Sequence, residues 1–315
     1  MKDTRRITEG ALMTGIYLLL LLVIIFIPGI IGAILMFVLP VPFIYYSYRH
    51  GFKAGILVFI VSTLVSIIFG LAFSLPTTLL AGVGGLFVGG SMHKKRSSYE
   101  TLAMGSVGFI IGFVAVYFIS QTFFGVNWAD QINEMIEQSI SMSEKMLSDI
   151  GGSGDAEERL EQFREQLSTL PDLIPSMFAI AGILFAFISQ WASYKLINRV
   201  EKKDLHFPAF RDFKLPTSLL WYYFFSFMLQ YFIEQDQGVL YLAAINVNAI
   251  TGLLILLQGF SFIFFYAHKK KLSKAIPILS IVITLFIPTI LMYFVRILGI
   301  IDIGFSLRNR VKEKE

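Results

Sequence analysis

Between Phe26 and Lys53 the chain reads FIPGIIGAILMFVLPVPFIYYSYRHGFK, an apolar run cut at Pro28-Gly29 and again at Pro40-Val41-Pro42. A proline inside a helix removes a backbone donor and clashes with the preceding turn. In hydrocarbon the freed carbonyls have no water to turn to, so such breaks persist only where protein or a water-filled cavity covers them. The stretch therefore predicts a tight membrane re-entry followed by a broken span. It reaches the water interface at Tyr45, Tyr46, Tyr48, Arg49, His50 and Lys53. The rest of the chain must supply the cover.

Composition agrees with that demand. Of the 315 residues 56% are hydrophobic and 15% charged, with a mean hydropathy of +0.70; soluble domains carry about 25% charge. Apolar runs near the ~20 residues that cross a bilayer recur along the chain and predict an all-α, polytopic transmembrane helix bundle. They are continuous rather than alternating, which argues against a β-barrel. Cysteine is absent, which excludes disulfides, thiolate metal sites and a cysteine nucleophile. No small-x-small cleavage site follows the first apolar run, so an uncleaved first span is expected.

Five spans are expected within residues 1–126, at about Gly10–Ile27, Ile30–Tyr48, Ala54–Phe73, Thr77–Met92 and Tyr99–Phe124. Basic residues mark alternate ends: Arg5 and Arg6, then Arg49, His50 and Lys53, then His93, Lys94, Lys95 and Arg96. That pattern places the N-terminus in the cytoplasm of a multi-pass cell-membrane protein. Residues 127–172 are acidic, yet Trp128, Ile132, Met135, Ile136 and Ile140 recur at near-helical spacing. They predict an extracytoplasmic pair of amphipathic helices, separated at Gly151-Gly152-Ser153-Gly154. A sixth span over 173–198, a basic cytoplasmic loop over 199–215, a C-terminal membrane bundle over 216–305 and a basic tail over 306–315 complete the plan. Ala275–Phe305 reads as a single span with Arg296 snorkelling at its outer end. The other reading is two short segments turning near Pro288, which returns the tail to the cytoplasm.

Enzyme signatures are missing. The histidines His50, His93, His206 and His268 lie in or beside basic loops, none at i, i+4 spacing. There is no HExxH motif, no GxxxxGK[ST] phosphate loop and no GxSxG elbow. Neither catalysis nor a metal or other cofactor is expected. The short basic clusters beside spans are topology signals and do not suggest nucleic acid.

Small residues at Ala11xxxGly15, Ala81xxxGly85, Gly85xxxGly89 and Gly108xxxGly112 clear helix faces for close approach. Those in spans four and five read as internal packing, whereas Ala11 and Gly15 also read as a partner surface. Ser62, Thr63, Ser66, Ser189, Gln190, Gln230, Asn246, Asn248 and Gln258 lie inside spans and need partners. They read either as interhelical hydrogen bonds or as the lining of a substrate cavity. For the cavity, the candidate set is Pro40, Pro42, Asn127, Trp128 and Gln190, with Trp128 capping the outer mouth or anchoring the interface.

From Arg5 to Tyr117 the chain resembles the S components of energy-coupling-factor (ECF) vitamin transporters. The likeness rests on the small face of span one (Gly10, Ala11, Gly15), the proline-bearing second span before Tyr48-Arg49-His50-Gly51, the glycine-rich fourth span and His93-Lys94-Lys95-Arg96. The whole chain is similar to the YybS-like uncharacterised membrane proteins. The S-component resemblance implies a six-span core, a small-molecule ligand, and a coupling protein with ATPases docking at Ala11 and Gly15. This chain departs from that pattern by continuing past Lys214, through about three further spans, and by its acidic insertion. The expected function is a substrate-binding or transport-associated subunit for a small solute, set in membrane lipids and working with an ATP-driven module. The alternative is a non-transporting scaffold or regulator of envelope or signalling partners.

Overall fold

The computed structural model describes residues 2–27, 29–150, 154–233, 238–305 and 307–308. Among the described residues every regular element is helical, and eight helices are long and apolar enough to cross a membrane. The chain divides into two units, Met1–Phe207 and Pro208–Glu315.

The first unit contains α1 (Lys2–Phe26), α2 (Ile30–Val38), α3 (Val41–His50), α4 (Phe52–Ser66), α5 (Leu71–His93), α6 (Ser98–Phe124), α7 (Trp128–Ile150), α8 (Gly154–Leu167) and α9 (Ile174–Glu201). Its centre is α5, whose glycines face a neighbour on each side. A Cβ on Gly85 would stand 2.7 Å from Phe43 Cβ and 3.0 Å from the Pro40 carbonyl, and one on Gly89 would strike the Ile44 carbonyl. Gly84 faces the ring of Phe109 on α6, while Gly82 and Gly90 face Phe59 and Phe52 on α4. Small residues at these positions let α3, α4 and α6 close on α5 to near-backbone contact. On α6, Ser97 and Glu100 form a capping box that fixes the helix start.

The proline break is covered by protein. α2 stops at Val38 and α3 restarts at Val41, with Pro40 and Pro42 at its first turn. The Phe37 carbonyl, just before the break, accepts a 2.8 Å hydrogen bond from the Ser189 hydroxyl of α9. Pro28, expected to make the earlier break, lies outside the described residues. At the far end of α3, Gly51 (φ +87°) donates its N–H to the Ser47 carbonyl at 2.8 Å, and α4 follows at once. A left-handed backbone of this kind suits glycine, which has no Cβ to clash.

One boundary differs from the sequence reading. The turn between the third and fourth spans falls at Gly70 (φ +116°), after a short 3₁₀ turn, and Pro76 lies inside α5. Glycine takes that backbone without strain, while Pro76, sixth in α5, has no N–H to donate to the carbonyl four residues before it.

Both expected amphipathic helices are present as α7 and α8, and Glu137 pairs with Arg164 across them at 2.8 Å. Of the break expected at Gly151-Gly152-Ser153-Gly154, Gly154 begins α8 and the first three residues lie outside the described ones.

The second unit holds α10 (Ser218–Phe232), α11 (Gly238–Lys269), α12 (Ala275–Phe286) and α13 (Pro288–Phe305). Among the described residues of this unit, only α11 and α13 are long enough for a full crossing; α10 and α12 have 15 and 12 residues. The single span expected over Ala275–Phe305 is not observed. Ile287 leaves the helical region (φ −128°, ψ 64°) and Pro288, which has no N–H, restarts the helix.

Contacts along α11 and α13 give their direction. Gly252 faces Arg296, Gln258 donates to Asp302 at 2.5 Å, and Ser261 accepts from Arg308 at 3.0 Å. The partners advance together, so α11 and α13 run the same way and α12 turns back between them. Arg296, expected at an outer end, lies midway along α13. The end of α13 therefore shares a side with Lys269. Because the chain has no cysteine, single cysteines at Lys270 and Lys314 can be compared directly. A membrane-impermeant maleimide is expected to label both from the same side; labelling from opposite sides would restore the single span.

Candidate functional site

A groove of about 600 Å³ lies in the first unit between α1, α3 and α9, a volume within the range of small-molecule sites. Leu12, Ile16 and Leu20 of α1 form one wall, Val41 and Pro42 of α3 a second, and Ala192, Leu196 and Val200 of α9 a third. The sequence places them there for a simple reason. On α3, Phe43, Ile44 and Ser47 are spent on α5 and α4, which leaves Val41, Pro42, Tyr45 and Arg49 on the opposite face. On α1, Tyr17 and Thr14 face inward: the Tyr17 hydroxyl donates to Thr78 Oγ1 at 2.6 Å, and Ser62 donates to Thr14 at 3.4 Å.

One end of the groove is polar. Glu9 of α1 receives Arg5 Nε at 2.9 Å, Arg49 Nη1 at 3.3 Å and His50 Nε2 at 2.8 Å. Arg49 also donates to the Tyr45 hydroxyl at 3.2 Å and stands 3.9 Å from Glu201 of α9. The three helices that wall the groove are thus joined by ions at this basic end. Glu9, Arg49 and Tyr45 each combine a half-buried or buried position with a charge or hydroxyl at the groove mouth. Elsewhere the lining is aliphatic. Such a site suits an amphipathic molecule with an apolar body and a hydrogen-bonding head.

The candidate cavity residues do not gather around one hollow. Pro42 lines the groove, while Pro40 is buried against α5 at the break. Gln190 is fully buried and donates to the Ser98 carbonyl at 3.0 Å and to the Tyr194 hydroxyl at 2.6 Å, in the seam of α6 and α9. Asn127 and Trp128 stand at the other end of α6. The Asn127 side chain accepts from Ala129 N–H at the start of α7. Trp128 donates to Ser120 at 2.7 Å and packs on Phe178, its ring centroid 5.8 Å away.

Ala11 is exposed, and a Cβ on Gly15 would meet nothing within 4 Å, so this small-residue face of α1 is open. Glu9 was the residue that sequence reasoning passed over. Its signal was an acidic side chain four residues after Arg5 at the mouth of an apolar run. Among the described residues, no group of three or more His, Asp or Glu is placed to hold a metal.

Together these features define an α-helical, multi-pass membrane protein with a groove in its first unit. The chain belongs to the family described as "Predicted membrane protein (DUF2232)", whose model matches residues 15–303. It is similar to "Uncharacterized protein YybS" of Bacillus subtilis (strain 168), with 33% identity over 312 residues, covering 99% of this chain and 100% of that protein. No solved structure matches it.

The contrast between occupied and open glycines is testable by substitution. Gly89→Ala forces a methyl onto the Ile44 carbonyl and is expected to cost about 1–3 kcal/mol, read as a lower thermal unfolding midpoint in detergent. Gly15→Ala meets no neighbour and is expected not to lower that midpoint.

Proposed function

We propose that this protein binds a small amphipathic solute in the groove between α1, α3 and α9, as the substrate-binding subunit of an uptake system. The observation that carries this reading is the groove itself, aliphatic along its walls and polar at one end, where Glu9, Arg49 and Tyr45 stand. The head group of the solute engages the polar end while its body lies against Leu12, Ile16 and Leu196. The basic ends of the spans face the cytoplasm, in keeping with the positive-inside tendency. The chain offers no nucleotide-binding motif, so energy comes from a separate ATP-driven module of the energy-coupling-factor type. Its coupling protein docks on the open face of Ala11 and Gly15. Since α1 carries both that face and a wall of the groove, docking bears directly on the site.

The test is purification from native membranes followed by mass spectrometry of released small molecules and retained proteins. Ile16→Trp fills the groove and is expected to deplete the co-purifying molecule by about tenfold, a loss of ~1.4 kcal/mol in binding, without shifting the unfolding midpoint. Gly15→Leu is expected to remove the coupling ATPases and leave the molecule in place. Wild-type protein that releases no small molecule would defeat the proposal.

A second reading, a scaffold for envelope or signalling partners, is favoured by one feature. The α7–α8 pair exposes Met135, Met142, Met146 and Phe163 despite its acidic composition, and exposed apolar side chains of this kind suit protein contact. Deletion of residues 129–169 separates the two. Loss of retained proteins with the small molecule still bound supports the scaffold, whereas retention of both the molecule and the coupling ATPases supports uptake.

A further inference from the structure

Arg296 lies midway along the 18-residue α13, in an apolar span where charge is costly unless opposed. Its Nη1 donates to the Tyr223 hydroxyl of α10 at 3.3 Å. Its Nε is buried with no acceptor, and Nη2 makes no hydrogen bond among the described residues. The rings of Tyr223 and Tyr293 stand 5.8 and 6.0 Å from the guanidinium carbon, contacts that offset only part of the desolvation. Among the described residues no carboxylate pairs with it. Asp302, further along α13, is held by Arg308 at 2.9 Å and by Gln258 at 2.5 Å.

The unused edge of the guanidinium, Nε with Nη2, is the one that grips two oxygens of a carboxylate or phosphate in parallel hydrogen bonds. Gly252 of α11 packs against the guanidinium: a Cβ there would sit 3.4 Å from both Cζ and Nη2. One turn away, Asn248 and Ser226 continue a polar seam between α11 and α10, 3.5 Å apart. Tyr293 and Ile297, flanking Arg296 on α13, are exposed.

We propose that Arg296 and Tyr223 form an anion-binding site within the second unit, which takes the carboxylate or phosphate of a small molecule or lipid head group. It is separate from the groove and does not rest on it. Without ligand the guanidinium is an uncompensated charge, and the anion supplies the missing partner.

Thermal unfolding of the full chain in neutral maltoside detergent tests this, with tryptophan fluorescence as the readout. The probes are inorganic phosphate, acetate, and micelles doped with phosphatidylglycerol or with phosphatidylcholine. At least one anionic probe is expected to raise the wild-type midpoint by about 2 °C or more, by preferential binding to the folded state. A response to phosphatidylglycerol alone identifies a lipid head group; a response to phosphate or acetate identifies a free anion. Arg296→Gln is expected to abolish the shift and to unfold, without probe, no earlier than wild type. If that variant does not fold, Arg296→Lys carries the test: it keeps the charge, lacks the fork, and must lose at least half of the shift. The proposal is overturned if no anionic probe moves the wild type, if phosphatidylcholine moves it equally, or if the shift survives in the variants. A variant that unfolds earlier without probe also overturns it, because the guanidinium is then a structural strut.

Discussion

The carbonyls of Pro40 and Ile44 lie against α5 where Gly85 and Gly89 carry no side chain, and the first unit is arranged round that approach. In a bilayer, lipid tails are as apolar as leucine, so helices gain little from burying apolar area against one another. Close packing and hydrogen bonds must hold them instead. The glycines of α5 serve α3, α4 and α6 at once, and the Ser189 hydroxyl answers the carbonyl exposed by the proline break. With α3 drawn onto α5, its opposite face is left to α1 and α9, and the groove is the space that results.

Much of this architecture could be read from local patterns. The break at Pro40 and Pro42 follows from proline chemistry, and the need for cover follows from the absence of water. The glycine spacing in Ala81–Gly90 pointed to close helix contact, and the 3.6-residue recurrence through Ile132, Ile136 and Ile140 marked α7. Of the two readings open for the polar residues within spans, hydrogen bonding describes Gln190, Gln258 and Ser62. These signals depend on neighbours within a few turns.

The groove was not legible for the opposite reason. Its walls come from three helices far apart in sequence, and Leu12, Val41 and Leu196 look like any other lipid-facing aliphatic residues until they are set side by side. Asn127 and Trp128 drew attention because they are polar or aromatic at an interface, yet their partners Ala129 and Ser120 are only two and eight residues away. In the C-terminal stretch, the apolar run through Pro288 matched one long span as well as two short ones. Only the register of Gln258 with Asp302 and Ser261 with Arg308 separates them.

The boundary between the units has its own consequence. The residues before it are fastened back: Asn198 exchanges two 2.8 Å hydrogen bonds with Leu205, and the His206 carbonyl accepts from Ser98. Those after it are fastened forward, with Ser261 donating to the carbonyls of Phe210 and Phe213. On each side of the boundary the chain is thus tied into its own unit.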